Sequence, residues 1–288
     1  MSARPPARVA AEALGLIHNV AYYSREMRDF AVLGLGEFWR AYVAWRCAPL
    51  GAVGPHAATA MLYNFAPRMV ADALPSAWET TDPVSVLAMR DDCMDRALQR
   101  GLGDLTDAPT LVEASELLRR GIDAADPAGR ALFAGHADLG WPDVPHLALW
   151  HGCTLWREYR GDAHNIALAA AEIDGLEAHV LLGGRGIVDA ATIEKIRGWT
   201  REEWDAAVVR LADRGLLTGQ GQATDEGIEY RRAIERHTDV LSAAPRDHLG
   251  DGAVARLIEL VSPIAAHLVE VGAVVGRWPP PKPIARGS

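Results

Sequence analysis

Residues 174 to 241 constrain the fold more than any other part of the chain. They read DGLEAHVLLGGRG (174–186), VDAATIEKIRG (188–198), TREEWDAAVVRLADRG (200–215), LLTGQGQATDEG (216–227) and IEYRRAIERHTDVL (228–241). Apolar residues recur at three and four in the helical pieces. The first piece ends in a Gly cluster. Asp189 stands where it can cap the second, and Gly198 stops it. Thr200 and Glu203 have the spacing of a capping box that restarts a third helix. A short apolar run, the Gly-rich tip Thr218–Gln222 and a return run follow. Thr224-Asp225-Glu226-Gly227 then opens a long helix.

Helix, helix, turn, helix, two-stranded wing, helix is the order of a winged helix-turn-helix. Gly186 to Leu241 resembles the MarR-type winged helix on Arg214-Gly215-Leu216 and Thr224-Asp225-Glu226-Gly227. The whole chain also resembles a group of actinobacterial winged-helix proteins. That group carries a YNF-x-P phrase, here Tyr63-Asn64-Phe65-Ala66-Pro67, and an H-R-G-D-x-H phrase, here Tyr159-Arg160-Gly161-Asp162-Ala163-His164. Tyr159 replaces the first His of that phrase.

The rest also reads as helix, so the expected class is mainly α. Helices are expected at Glu26–Trp45, His56–Asn64, Arg68–Trp78 and Pro83–Leu102, and in DAPTLVEASELLRRGIDAAD. AGHADLGWPDVPHL reads as loop with a helical turn or two. FWRAY at 38–42 matches LWREY at 155–159, and Ala-Ala-Thr at 57–59 and at 190–192 can be laid on each other. Two winged-helix-like halves packed as two subunits of a dimer would pack explain the echo. The boundaries that follow are a 1–20 N-terminal extension, a 21–104 degenerate half and a 105–149 helical connector. A 150–275 MarR-like half with C-terminal helices and a loose 276–288 Pro-rich tail complete the chain.

The chain has 288 residues, 49% of them hydrophobic, and a net charge of −9. A sizeable core is affordable. A nucleic-acid binder usually shows a basic face, and here such a face must hide in an acidic average. The third helix begins Thr200-Arg201-Glu202-Glu203-Trp204-Asp205, three carboxylates against one arginine, and the wing tip has no Lys or Arg. Both oppose phosphate contacts. Cys47, Cys93 and Cys153 form no CxxC pair, which fits a reduced, cytoplasmic protein. The N-terminus lacks the apolar core of a signal peptide, and no uninterrupted apolar run reaches the length of a membrane span.

His151, Leu155, Glu158 and Asp162 are spaced four, three and four, which puts them on one face if 150–160 is a helix. Gly161 is expected to end that helix and Asp162 to cap the next, with His164 and Asn165 in its first turn. An Arg160–Asp162 pair would fix the bend. The expected site is a pocket between the halves. His151, Glu158, Arg160, Asp162, His164 and Asn165 come from one half, and His56, Tyr63 and Asn64 from the other. Trp39, Trp45, Trp150 and Trp156 would wall it. His151, Glu158 and His164 could offer N, N and O ligands, but HxxxH and HExxH spacings are absent and no metal site is expected. Haem or another tetrapyrrole on one His stays open. GxSxG, Walker A and strand-following GxGxxG motifs are missing.

The expected function is a winged-helix scaffold that binds a small planar or hydrophobic metabolite, as a monomer or weak homodimer. The alternatives are a ligand-responsive, MarR-like DNA-binding regulator, and an enzyme of specialised metabolism with His151 or His164 as acid/base.

Overall fold

The computed structural model describes residues 6–106 and 109–276, so most of the Pro-rich tail lies outside the described residues. The fold is mainly α, as expected. The N-terminal part comprises α1 (Pro6–Tyr23), a 3-10 segment (Arg25–Leu33), α2 (Phe38–Cys47), α3 (Pro55–Met61), α4 (Pro67–Ala73), α5 (Ser76–Thr80) and α6 (Pro83–Leu102). Then come α7 (Pro109–Ile122), α8 (Ala131–Ala137), α9 (Pro145–Ala170) and α10 (Gly175–Gly183). The chain continues through α11 (Ala190–Arg197), α12 (Arg201–Asp213), α13 (Asp225–Leu241) and α14 (Ala244–Glu270).

Several boundaries differ from the sequence reading. The helix expected over Glu26–Trp45 is broken, because Gly34 adopts φ 75° and ends the 3-10 segment before α2. Pro75 lacks an N–H, so the helix expected at Arg68–Trp78 divides into α4 and α5. The wing is reduced to one antiparallel bridge, Leu217 with Ala223, and no longer strand occurs among the described residues. The capping box at Thr200 and Glu203 and the Asp189 cap are present.

The main core is shared by α1, α2, α6, α7, α9 and α14, around Phe30, Met94, Leu118, Leu149 and Leu268. Residues 6–23 are integral to it, since α1 packs on both α9 and α14. A second core, around Leu168, Leu181, Ile193 and Leu211, holds α10–α13 together. The helix α14 is long and apolar enough to cross a membrane by length and composition. It is, however, kinked at Gly250 and buries Leu257, Val261 and Leu268 in the main core.

The central feature is α9. It runs unbroken for 26 residues, through Gly161, and links the two cores. Gly161 has no helix-breaking conformation, and helical neighbours on both sides outweigh its modest propensity cost of about 1 kcal/mol. Asp162 therefore caps nothing.

Candidate functional site

Because α9 continues, the nine expected site residues disperse. His151 is a core residue. It is 2% exposed, packs edge-on against Trp141, and burial holds its imidazole down to about 3. Asp162 accepts the backbone N–H of Phe133 at 3.0 Å, and burial pushes its carboxyl up to about 6. The expected Arg160–Asp162 pair does not form. Arg160 instead reaches Glu235 and Asp239, each at 3.0 Å. His164 lies within the helix and not at its start, so its neutrality has a cause other than a helix dipole. Burial lowers it to about 4. Tyr63 donates to the Ile173 carbonyl and Asn165 to the Met61 carbonyl, tying the end of α3 and the segment after it to α9 and to the turn that follows α9. His56 is exposed on α3. No group of three His, Cys, Asp or Glu side chains among the described residues could hold a metal. His151, Glu158 and His164 do not converge.

Two places emerge instead. The first is a cavity of about 590 Å³ between α1, α9, α13 and α14. Ala11, Leu14, Trp156 and Leu257 give it apolar walls, and Arg160 and His164 line it. Thr238 Oγ1 donates to the Ile234 carbonyl, so it accepts from His164 Nδ1–H at 2.9 Å, and His164 Nε2 keeps its lone pair. Besides Arg157, three arginines line the cavity and all meet carboxylates: Arg8 with Asp239, Arg160 with Asp239 and Glu235, and Arg246 with Asp247.

The second place is a junction of α2, α9 and α11. Arg46 of α2 and Arg157 of α9 both donate to the same oxygen of Glu158, Oε2, at 3.0 and 2.7 Å. Glu158 is fully buried. Burial would raise its carboxyl, but Arg157 and Arg46 overcome that and hold it at about 2. Arg46 also donates to Tyr42 Oη at 3.0 Å. Arg197, at the end of α11, lies 4.4 Å over the Phe65 ring, and Phe65 packs on Tyr42 and Trp39. No carboxylate among the described residues is within ion-pair distance of Arg197; its guanidinium donates to the Ile196 carbonyl. Burial alone would raise the Tyr42 phenol, yet Arg46, Arg197 and Arg157 bring it below its usual range.

Behind this junction runs a chain of hydrogen bonds. Thr154 Oγ1 donates to the Trp150 carbonyl and so accepts from His18 Nδ1–H at 3.0 Å. His18 Nε2 then accepts from Tyr22 O–H at 2.8 Å. Burial keeps His18 neutral. Arg157 belongs to both places. It lines the cavity, and a Cβ added at cavity-lining Gly161 would stand 3.9 Å from Arg157 Nη1 and 3.8 Å from Glu158 Oε2. Of the expected walls, Trp45 and Trp150 are core residues, while Trp39 edges the junction and Trp156 the cavity.

Sequence reasoning singled out Glu158 but missed Arg46, Arg157, Arg197, His18 and Tyr22. The FWRAY/LWREY echo did point to this region. Its copies are not equivalent, however: Tyr42 faces the junction, whereas Tyr159 packs on Phe133.

The helix-turn-helix itself is docked on its own chain. Ala66 N–H donates to the Arg197 carbonyl, and Trp199 Nε1–H to the Asn64 carbonyl. Arg68, at the start of α4, bonds the Gly198 carbonyl and both carboxylate oxygens of Glu203. Met69 fills the space where a Cβ on Gly198 would stand. The YNF segment and α4 thus cover the turn and reach Glu203, while Arg201, Glu202 and Asp205 at the start of α12 stay exposed.

A helix-turn-helix family model matches residues 7–275. The chain belongs to that helix-turn-helix family. No curated protein and no solved structure matches it.

Proposed function

We propose that this helix-turn-helix protein holds a small organic molecule and does not read DNA through α12. The observation that carries this reading is the self-docked turn. A recognition helix meets base edges through its N-terminal residues; here the turn before that end is held by Arg68, Met69 and the YNF segment, and the residues left exposed on it, Arg201, Glu202 and Asp205, carry two carboxylates against one arginine. The remaining arginines of α12 are engaged too, Arg201 by Asp205 and Arg210 by Asp174 and Glu177. The cavity volume falls within the range of small-molecule pockets, about 300–1,000 Å³. Its apolar walls suit a planar or hydrophobic body, with Arg160 and His164 as polar contacts. Packing of a degenerate N-terminal half on a MarR-like half, as one subunit on another, would explain why the turn is covered.

The test pairs two measurements. Fluorescence anisotropy with labelled random duplex DNA at low salt, where the electrostatic component is greatest, is expected to show no binding. Thermal-shift screening of planar organic compounds is expected to give hits that Gly15→Phe abolishes. Gly15 lines the cavity and has open space where a Cβ would go. Salt-sensitive micromolar DNA binding would sink the reading, with or without a cavity-dependent hit. It would favour a ligand-responsive regulator, the second reading, which the family membership and the intact α11–α12 caps support.

A further inference from the structure

We infer that the junction of Arg46, Arg157 and Arg197 is an oxyanion site that takes the phosphate group of a phosphate monoester. This deepens the small-molecule reading by naming the ligand's charged end, and it rests on that reading for the organic part only.

Three guanidiniums reach the junction from three different helices, α2, α9 and α11. They face one carboxylate in direct contact, and two of them share a single oxygen of it. Asp162 is the next carboxylate out, but its Oδ2 is engaged by the Phe133 N–H. Even with Asp162 ionised, at least one positive charge has no counterpart. A buried cluster of this kind is costly unless a counter-ion completes it.

The hydrogen-bond inventory says the same. Arg46 Nε and Arg197 Nε are buried donors with no partner, and Glu158 Oε1 beside them is a buried acceptor with none, which a protonated phosphate oxygen can fill. Tyr42 accepts from Arg46 and keeps its own O–H to donate. Tyr22 O–H donates to His18 Nε2, so the Tyr22 oxygen can accept from a ligand hydroxyl. The site is also reachable, because a third of the Arg157 side chain is accessible, at 34%. Donors arriving from three helices suit a tetrahedral phosphate, which accepts on several sides. A planar carboxylate is matched by forks lying in its own plane. The Phe65, Tyr42 and Trp39 rings edge the arginines, and the cavity adjoins through Arg157, so an aromatic or planar group has a place beside the phosphate.

The experiment is isothermal titration of the full chain with inorganic phosphate, phenyl phosphate, benzoate and benzyl alcohol. Wild type is compared with Arg157→Gln, Arg197→Gln and the surface control Arg256→Gln, each checked for fold by circular dichroism. Saturable phosphate and phenyl phosphate binding is expected, weakened at least tenfold in R157Q and R197Q and unchanged in R256Q. Phosphate should also raise the wild-type melting temperature above chloride at equal ionic strength, a readout that needs no variant.

Absence of saturable phosphate binding overturns the inference, as does equal binding in R157Q and R197Q. Tighter binding of benzoate than of phenyl phosphate overturns the phosphate assignment. If benzyl alcohol binds and phosphate does not, the oxyanion site fails while the small-molecule reading stands. If phosphate binds and the aromatic compounds add nothing, the oxyanion site stands and the reading of an organic ligand is what weakens.

Discussion

The junction and the cavity wall are built from the same parts with different outcomes. Each has a neutral histidine donating through Nδ1 to a threonine: His18 to Thr154, and His164 to Thr238. Each has three arginines. At the cavity, Arg8 and Arg160 find carboxylates on α13 and Arg246 finds Asp247. At the junction, Arg46 and Arg157 compete for one oxygen of Glu158, and Arg197 finds only a carbonyl and a ring. A set of charges that closes on itself is explained by folding. One left open, under cover and at the meeting of two halves, points to a ligand. The difference is therefore in partners, and partners come from tertiary structure.

The largest expected effect is one the two regions share. His18, His136, His151, His164 and His179 are all held below their ordinary range by burial. A histidine whose folded pKa is depressed binds its proton more readily when unfolded. Stability is then full above the unfolded value near 6.5 and falls as pH drops below it, by about 1.4 kcal/mol per pH unit for each such group. Asp162, pushed up to about 6, works in the opposite direction over a narrower window. Urea midpoints measured from pH 7.5 to 5 should fall steeply, by several kcal/mol in total. A flat profile would mean these imidazoles are not neutral in the fold, and the donor assignments at both His–Thr pairs would fail with them.

Next in size is the contrast between the two carboxylate sets. Glu158→Gln leaves two guanidiniums without their shared oxygen in a buried place, and breaking a buried pair typically costs about 3–5 kcal/mol. Asp239→Asn acts on a partly exposed set in which Glu235 still serves Arg160, and should cost no more than about 1 kcal/mol. Glu158 is held at about 2, so its contribution is present above the unfolded carboxylate range and is lost as pH falls through about 4.5 toward 2. Equal losses in the two variants, by chemical denaturation at pH 7, would erase the distinction between open and closed clusters.

The legibility of this chain in its sequence follows the same division. Local features were readable. The caps of α11 and α12, the Gly198 stop and the extent of α6 depend on a few neighbouring residues, and the structure has them. Gly161 misled because a lone glycine signals a helix end only when nothing else holds the helix, and α9 is gripped on several sides by α1, α7, α8 and α13. The site was half visible. Glu158 was picked from helical spacing, but its partner Arg46 is 112 positions away and Arg197 comes from a different helix, α11. His151 and His164 drew attention as histidines, though only the neighbours supplied by the fold decide that one is core and the other cavity-lining. The wing was overread, since Gly219 and Gly221 permit a tight tip without requiring long strands around it.

A smaller effect tests how tightly the halves are joined. A Cβ at Gly175 would lie 1.9 Å from the Tyr63 carbonyl oxygen and 3.1 Å from Asn64 Cα. Backbone cannot yield as a side chain can, so Gly175→Ala must push the start of α10 off the YNF segment. The expected loss is about 1–3 kcal/mol, as for other overpacked sites. Trp199 reports on it directly, because its indole N–H bonds the Asn64 carbonyl across the same seam. A blue- or red-shifted Trp199 emission relative to a Trp199→Phe background should accompany the loss. An unperturbed spectrum with full stability would show that the seam is loose, and the junction arginines would then belong to two independent bodies.

The smallest expected effect is on Arg68, and it separates covering the turn from disabling it. Arg68 and Glu203 are both well exposed, at 44% and 38%, so Arg68→Ala should change stability by less than about 1 kcal/mol. The same change removes the side chain that lies across the Gly198 carbonyl and the first turn of α12. If covering were the only obstacle, R68A would gain salt-sensitive affinity for duplex DNA. The exposed face beside it carries Glu202, Glu203 and Asp205, with Arg201 tied to Asp205, so the gain should not appear. Anisotropy at low salt on R68A and on the triple variant Arg68→Ala, Glu202→Gln, Asp205→Asn decides the matter. Binding by the triple variant alone would mean that a DNA-reading geometry persists beneath repelling charge. Binding by neither would mean that the halves are packed too closely for a groove to reach α12 whatever its charge.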